Sequence, residues 1–393
     1  MSIGDVYKLH LESIAPGGEA LGRFEGKPVF VEGGAPDETV LCRVVREQKT
    51  WTRAQLLEII EPSPARIDAR CAFYGKCGGC NLQHIDYNAQ LAVKTAILTE
   101  HFTGIGGFSP PEPEIVPSQP WEYRNRMQFH CLRQQTGGEG AGFGLKGRGS
   151  SGIIEVSDCP VAVPGIRELL QRGGGIPLPP EKDRFTVFAA DDLLLSEGGI
   201  QRGKIKLLEK EILLDAGVFF QSNIASLEKL IAELREAASE AGNFGSMADL
   251  YCGVGTFAFF LGGMFAKMVL AEENKRAVAI ARENLKGTGL EFFALRDTDW
   301  DRIVRRKDAF DFAVVDPPRA GLSSKLAASL AQNGPPLLAY VSCDTASLAR
   351  DSRILAGGGY KLDKLKLFDF YPQTSHIETL AIFVKDRASA AAF

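Results

Sequence analysis

The chain has 393 residues, more than one hydrophobic core usually serves, so two or three domains are expected. Hydrophobic residues make up 45% and charged residues 24%, no apolar run approaches a membrane span, and the opening "MSIGDVYKLH" resembles neither a signal nor a transit peptide; the expectation is a cytoplasmic protein without membrane contact. A net charge of -4 excludes a global basic footprint, so any contact with RNA must rest on a local patch.

Residues 1–62 alternate apolar and polar positions in short runs such as "VYKLHLESIA" and "KPVFVEGG", separated by glycine-rich turns. This pattern predicts a small antiparallel β-barrel, an architecture that often binds oligonucleotides. Arg43, Arg46, Lys49 and Arg53 surround Trp51 and could follow a phosphate backbone; a solvated edge strand whose charges deter aggregation is the alternative. Cys42 reads as a small packed hydrophobe.

The prolines of "EPSPAR" mark a boundary, and residues 63–215 read as a central α+β region. It opens with "CAFYGKCGGCNLQH", where Cys71, Cys77 and Cys80 flank two glycines that let thiolates converge on one centre. Zinc and an iron-sulfur cluster both suit such a loop, and both commonly take four cysteines. Cys159, followed by Pro160, is the best fourth ligand; Cys131, inside an apparent strand, is the weaker one. A helix is predicted over 86–102 with Asp86 as its N-cap, and His84 and His101 read as hydrogen-bonded residues flanking it. Beyond it, Arg124, Arg126, Arg133, Lys146 and Arg148 mix with Trp121, Tyr123, Phe129 and Phe143. Base stacking and phosphate contacts for single-stranded RNA are one reading, a hairpin with ordinary surface charges the other.

Residues 216–393 change character: "SMADLY", "KMVLAE", "EFFAL", "DFAVVD", "LLAYVS", "LKLFDF" and "TLAIFV" are strands separated by helical segments. A mostly parallel sheet covered on both faces follows, with ligands at the carboxyl ends of its strands. "ADLYCGVGTFA" fits the first strand-turn-helix unit, and Glu272 ends the next strand where an acid can bind ribose hydroxyls. Gly253, Gly255 and Ala258 also satisfy a dinucleotide fingerprint, so an NAD-dependent oxidoreductase with an accessory cluster competes. "FAVVDPPRAGL" decides against it: the fixed backbones of Pro317 and Pro318 hold Asp316 rigidly at the sheet edge, which suits methyl transfer and which hydride transfer does not need.

"FFQSN", "DLYCGVGTF", "VVDPPRAGL", "YVSCDTASLARD" and "QTSHIET", in that order, resemble the RNA uracil-C5 methyltransferases that use S-adenosylmethionine, across nearly the whole chain. The resemblance implies a Rossmann-like class I methyltransferase domain, an N-terminal TRAM-like (OB-like) barrel, and a [4Fe-4S] cluster on Cys71, Cys77, Cys80 and Cys159. It places the cofactor against Gln221, Tyr251, Thr256, Glu272, Asp297 and Asp316, with Asp299 the alternative to Asp297. The implied partner is RNA, with 23S rRNA favoured and the tRNA T-loop the alternative, and the chain is expected to act as a monomer. The family often has Asn-Pro where this chain has Asp344 and Thr345.

The chemistry defines two further residues. C5 of uracil is a poor nucleophile until a thiolate adds to C6, and Cys343, at the end of an apolar strand on this sheet edge, is the thiol in place. Removing the C5 proton afterwards needs a base, for which Glu378 is positioned; His376 could orient the site or be structural. A noncatalytic RNA-binding iron-sulfur protein is the remaining alternative.

Overall fold

The computed structural model describes residues 2–132, 142–240, 244–305 and 310–385. Strands β1 (Val6–Ile14), β2 (Ala20–Phe24), β3 (Lys27–Glu32), β4 (Glu38–Glu47) and β5 (Thr52–Glu61) close into a barrel in the order β1-β2-β3-β5-β4. Period-two patterning drives the closure: Leu9, Leu11, Val29, Val31, Val40 and Val44 are buried, and Cys42 packs among them as expected. On the outside, the guanidinium groups of Arg46 and Arg53 lie 5.4 and 5.8 Å from the Trp51 ring. Buried Glu38 accepts from Arg66 and from the Ala35 amide, tying the chain that leaves the barrel back onto it.

Helix α1 (Tyr87–His101) starts where Asp86 accepts from the amides of Asn88 and Ala89. The central sheet follows further along the chain. Strands β7 (Arg126–Leu132), β8 (Gly142–Lys146), β9 (Ile153–Ile154), β10 (Arg184–Ala190) and β11 (Leu193–Ser196) pair in the order β11-β10-β7-β8-β9, and helix α2 (Pro164–Gln171) packs on them. Alternation along β7 bears on the two readings of the aromatics in this region. Phe129 is fully buried against Phe143 and Phe185, and Tyr123 is buried too, so these aromatics are core and not stacking faces. Arg133 lies outside the described residues.

The large sheet is built from β14 (Phe244–Leu250), β15 (Phe265–Glu272), β16 (Leu290–Ala294), β17 (Phe312–Val315), β18 (Leu337–Ser342), β19 (Tyr360–Phe368) and β20 (Glu378–Lys385). Its order is β16-β15-β14-β17-β18-β20-β19, extended at the end by β6 (Glu114–Val116). Helices α3 (Ile224–Glu240), α4 (Thr256–Leu261) and α5 (Lys275–Asn284) supply core on one face, together with the hairpin β12 (Arg202–Leu207) and β13 (Lys210–Asp215). The other face takes α1, α6 (Asp301–Val304), α7 (Ser324–Asn333) and α8 (Thr345–Gly357). Every residue of β17 and β18 is buried, as a sheet covered on both sides requires. Thus α1, β6 and the β12–β13 hairpin, which lie within the stretch read as a central region, pack with the large sheet instead. Burial of each large apolar side chain there contributes roughly 1.5–3 kcal/mol. Among the described residues no helix is long and apolar enough to cross a membrane.

The strand order reverses between β14 and β17, so loops at the carboxyl ends of β14, β15, β17 and β18 surround one crevice. β20 runs antiparallel to β18, which brings its first residue, Glu378, to the same edge.

Candidate active site

β14 ends in a turn where Tyr251, Gly253 and Gly255 all have positive φ (64°, 54° and 81°). Gly255 has no room for a side chain: a Cβ there would stand 2.9 Å from Leu285 Cδ1 on the packed α5 side. The Ala258 amide donates to Asp249 Oδ2, which fixes the start of α4, and burial pushes the Asp249 carboxyl up to about 7. Glu272 accepts from the Gly253 amide at 3.2 Å and from the Asn274 amide at 2.7 Å, so the acid is held across the mouth of the turn.

These groups face a cavity of about 800 Å³ lined by Gln221, Tyr251, Glu272, Asp297, Asp316, Cys343 and Glu378, among others. Thr256 is not on this wall; it is the first residue of α4, one residue beyond the glycine turn. Between the two candidate aspartates the structure favours Asp297, which lines the cavity and accepts from the Tyr251 hydroxyl at 3.1 Å. Gln221 donates to Asp316 across 3.4 Å.

Cys343 and Glu378 are neighbours by sheet register, because Ser342 pairs with Thr379 and each side chain is one residue beyond that pair. The turn after Cys343 explains the departure from Asn-Pro. Asp344 caps α8 by accepting from the Ser347 amide at 2.8 Å, as Asn would. Thr345 takes the first helical position, which suits proline, and its hydroxyl meets His101 Nδ1 at 2.7 Å. His84 likewise has partners, Tyr74 and the Gly34 carbonyl, so both histidines are the hydrogen-bonded flanking residues expected.

Electrostatics of this cavity are dominated by carboxylates. Burial, then Glu378 and Asp316, push the Cys343 thiol up to about 12, while Arg319 opposes the shift. The Glu378 carboxyl is raised well above its ordinary value, first by burial and then by Asp316; its Oε1 has no hydrogen-bond partner although the residue is 3% exposed. Asp316 is raised by burial and by Glu272. Burial and the nearby Arg319 hold His376 down at about 4, so its imidazole is neutral and accepts from Arg319. A dense group of acids around one thiol suits a cationic sulfonium ligand far better than a dinucleotide diphosphate.

A second cavity, of about 620 Å³, lies between the barrel and the central sheet and is lined by Cys71, Cys77, Cys80 and Cys159. Burial raises the thiols of Cys71, Cys80 and Cys159, with neighbouring thiols adding to the effect and Arg124 countering it at Cys80 and Cys159. Among the described residues no three His, Cys, Asp or Glu side chains are grouped closely enough to hold a metal ion. Cys131 is not on this wall.

Family models match three stretches: a TRAM domain over 2–57, a methyltransferase small domain over 209–335, and a tRNA (uracil-5-)-methyltransferase over 288–386. An uncharacterized RNA methyltransferase of Treponema denticola is 34% identical, the match covering 92% of this chain and 95% of the relative. The chain belongs to the RNA uracil-C5 methyltransferase family. The enzyme is therefore an S-adenosylmethionine-dependent methyltransferase acting on RNA. A 23S rRNA (uracil(1939)-C(5))-methyltransferase of Aeromonas hydrophila is 29% identical, with 92% of each chain covered. Among solved structures, the Pyrococcus abyssi tRNA (uracil-54, C5)-methyltransferase in complex with S-adenosyl-L-homocysteine shares the fold. Its TM-score is 0.73 at 22% identity, covering 96% of this chain and 100% of that one.

Several residues of the enzyme's cavity escaped the sequence reading. Phe219 is 56% exposed beside it, with the Arg126 guanidinium 5.4 Å from its ring. Tyr371 and Trp300 also line it, and Trp300 packs edge-on against Tyr251. Phe219 and Arg319 sit inside quoted motifs and could have been found there; Tyr371 is brought in by the turn before β20, which periodicity does not reveal.

Proposed function

We propose that the enzyme methylates C5 of one uridine through a covalent adduct between Cys343 and C6 of the ring. The observation that carries this reading is the adjacency of Cys343 and Glu378 in paired strands on the wall that also holds Gln221, Tyr251, Glu272, Asp297 and Asp316. Bound among those acids, S-adenosylmethionine supplies an electrophilic methyl group and a positive charge that favours ionised forms of its neighbours. Cys343 would give its proton to solvent and add to C6, which moves the electron pair onto C5 and lets C5 take the methyl, with S-adenosylhomocysteine left behind. Glu378 then removes the C5 proton, the 5,6 double bond re-forms, and Cys343 leaves as thiolate. Phe219 would stack on a base turned out of the RNA and Arg126 would hold its phosphate, a reading supported by the exposure of Phe219 and by both residues lining the cavity.

We assign the substrate to 23S rRNA, supported by the Aeromonas hydrophila relative, whose match covers nearly the whole of both chains. The four cysteines Cys71, Cys77, Cys80 and Cys159 would hold a [4Fe-4S] cluster, supported by their shared cavity. Methyl transfer is redox-neutral, so the cluster would brace the fold around the RNA-binding face. Nucleoside mapping of rRNA and tRNA from a deletion strain tests the target. Loss of a single 5-methyluridine from 23S rRNA is expected; its loss from tRNA instead would overturn the assignment.

A further inference from the structure

The nine residues between β19 and β20, 369–377, carry Tyr371 and His376 into the cavity and deliver Glu378 at their end. Their backbone is held chiefly from outside the large sheet, by the stretch that follows the cysteine loop. Gln373 has φ of 68°, a conformation a non-glycine residue adopts only when its surroundings enforce it. The enforcing contacts are a ring of hydrogen bonds. Its amide donates to Gln90 Oε1 at 2.9 Å, its side-chain oxygen accepts from Gln90 Nε2 at 3.0 Å, and its carbonyl accepts from the amides of Asn81 and Leu82. Two residues on, the Ser375 amide donates to Asn81 Oδ1 at 2.8 Å, and Asn81 Nδ2 donates to Ser375 Oγ at 3.0 Å and to the barrel carbonyl of Gly17 at 2.9 Å. Tyr123 donates to the Pro372 carbonyl, and buried Lys94 pairs with Asp369 at 2.6 Å. Asn81 directly follows Cys80, so barrel, cysteine loop and catalytic strand meet at this one side chain.

We propose that Asn81 and Gln90 are positioning residues for methyl transfer: they lock residues 373–375 so that Glu378 stands beside the C5 proton of the adduct. Neither touches the cavity, and neither is among its lining residues. The proposal rests on Glu378 being the base. Without the lock, Cys343, which is held by β18 and α8, keeps its place, and the backbone of Glu378 keeps its pairing with Phe368 of β19, while the turn that sets the direction of approach to Glu378 loosens. Attack and methyl transfer are then spared, and proton removal slows.

Gln90 is fully buried and its loss threatens folding, so the test uses half-buried Asn81. Asn81→Ala is expected to lower kcat about tenfold with KM for RNA and for S-adenosylmethionine within about twofold. It should accumulate covalent enzyme–RNA complex on ordinary uridine RNA, yet be trapped by 5-fluorouridine RNA at the wild-type rate. Ser375→Ala, which keeps the bond from its own amide to Asn81, should show the same signature more weakly. An unchanged kcat in Asn81→Ala would overturn the proposal, as would parallel losses of trapping rate, cofactor affinity and melting temperature. Glu378→Gln, run alongside, separates the two readings: full turnover there defeats the base assignment, whatever Asn81→Ala does.

Discussion

The two cavities use the same side chain in opposite surroundings. Around the cysteine cavity the rim acids are already paired, Glu19 with Arg53 at 2.7 Å and Glu32 with Arg148 at 3.0 Å, and Arg124 favours the thiolate form of Cys80 and Cys159. In the other cavity one thiol, Cys343, faces Glu378 and Asp316, and Glu378 Oε1 is left unpaired. Burial is the largest cause raising the thiols in both places. What differs is the neighbours: several thiols beside a cation in one case, a solitary thiol beside an unpaired carboxyl in the other.

The contrast breaks most sharply at Cys343. Cys343→Ala is expected to lower methyl incorporation about 10⁴-fold or more while S-adenosylmethionine affinity, read by calorimetry, stays within about twofold. Glu378→Gln should cost roughly 10²–10⁴-fold in turnover and leave a denaturant-resistant enzyme–RNA complex on a gel. Converting both Cys80 and Cys159 to serine should abolish bound iron, from about four per chain, and lower the melting temperature, with cofactor affinity again within about twofold. Absence of iron from the anaerobically purified wild type would contradict the ligand assignment.

The smallest expected effect lies in pH dependence. Arg319 is the charge that favours the ionised forms of both Cys343 and Glu378. Removing it in Arg319→Gln raises both groups further, so single-turnover methylation at pH 7 should drop roughly tenfold and recover as pH rises. A profile that keeps its wild-type shape would show that Arg319 acts on neither group.

The sheet, its order-setting loops and the cavity wall were largely legible in the sequence, because buried strands such as "FAVV" and "LLAYVS" and turns such as "DPPRAG" carry local signals. For Phe129 the sequence left core and stacking face both open, because residue type does not say which face of a strand looks inward; only pairing with β10 and β8 decides that. Thr256 differs from the other cofactor candidates in place: it is the first residue of α4, beyond the glycine turn, and is not among the residues lining the cavity. The place of α1 and β6 on the large sheet depends on contacts such as Lys94 with Asp369, separated by 275 residues, which no local pattern records.

Whether Cys343 is the nucleophile is decided by mass spectrometry of the enzyme incubated with S-adenosylmethionine and an RNA carrying 5-fluorouridine at the target position. Fluorine cannot be removed as the C5 proton is, so a stable, methylated nucleotide adduct is expected on the peptide containing Cys343. Efficient methylation of the ordinary RNA with no adduct at Cys343 would contradict that role.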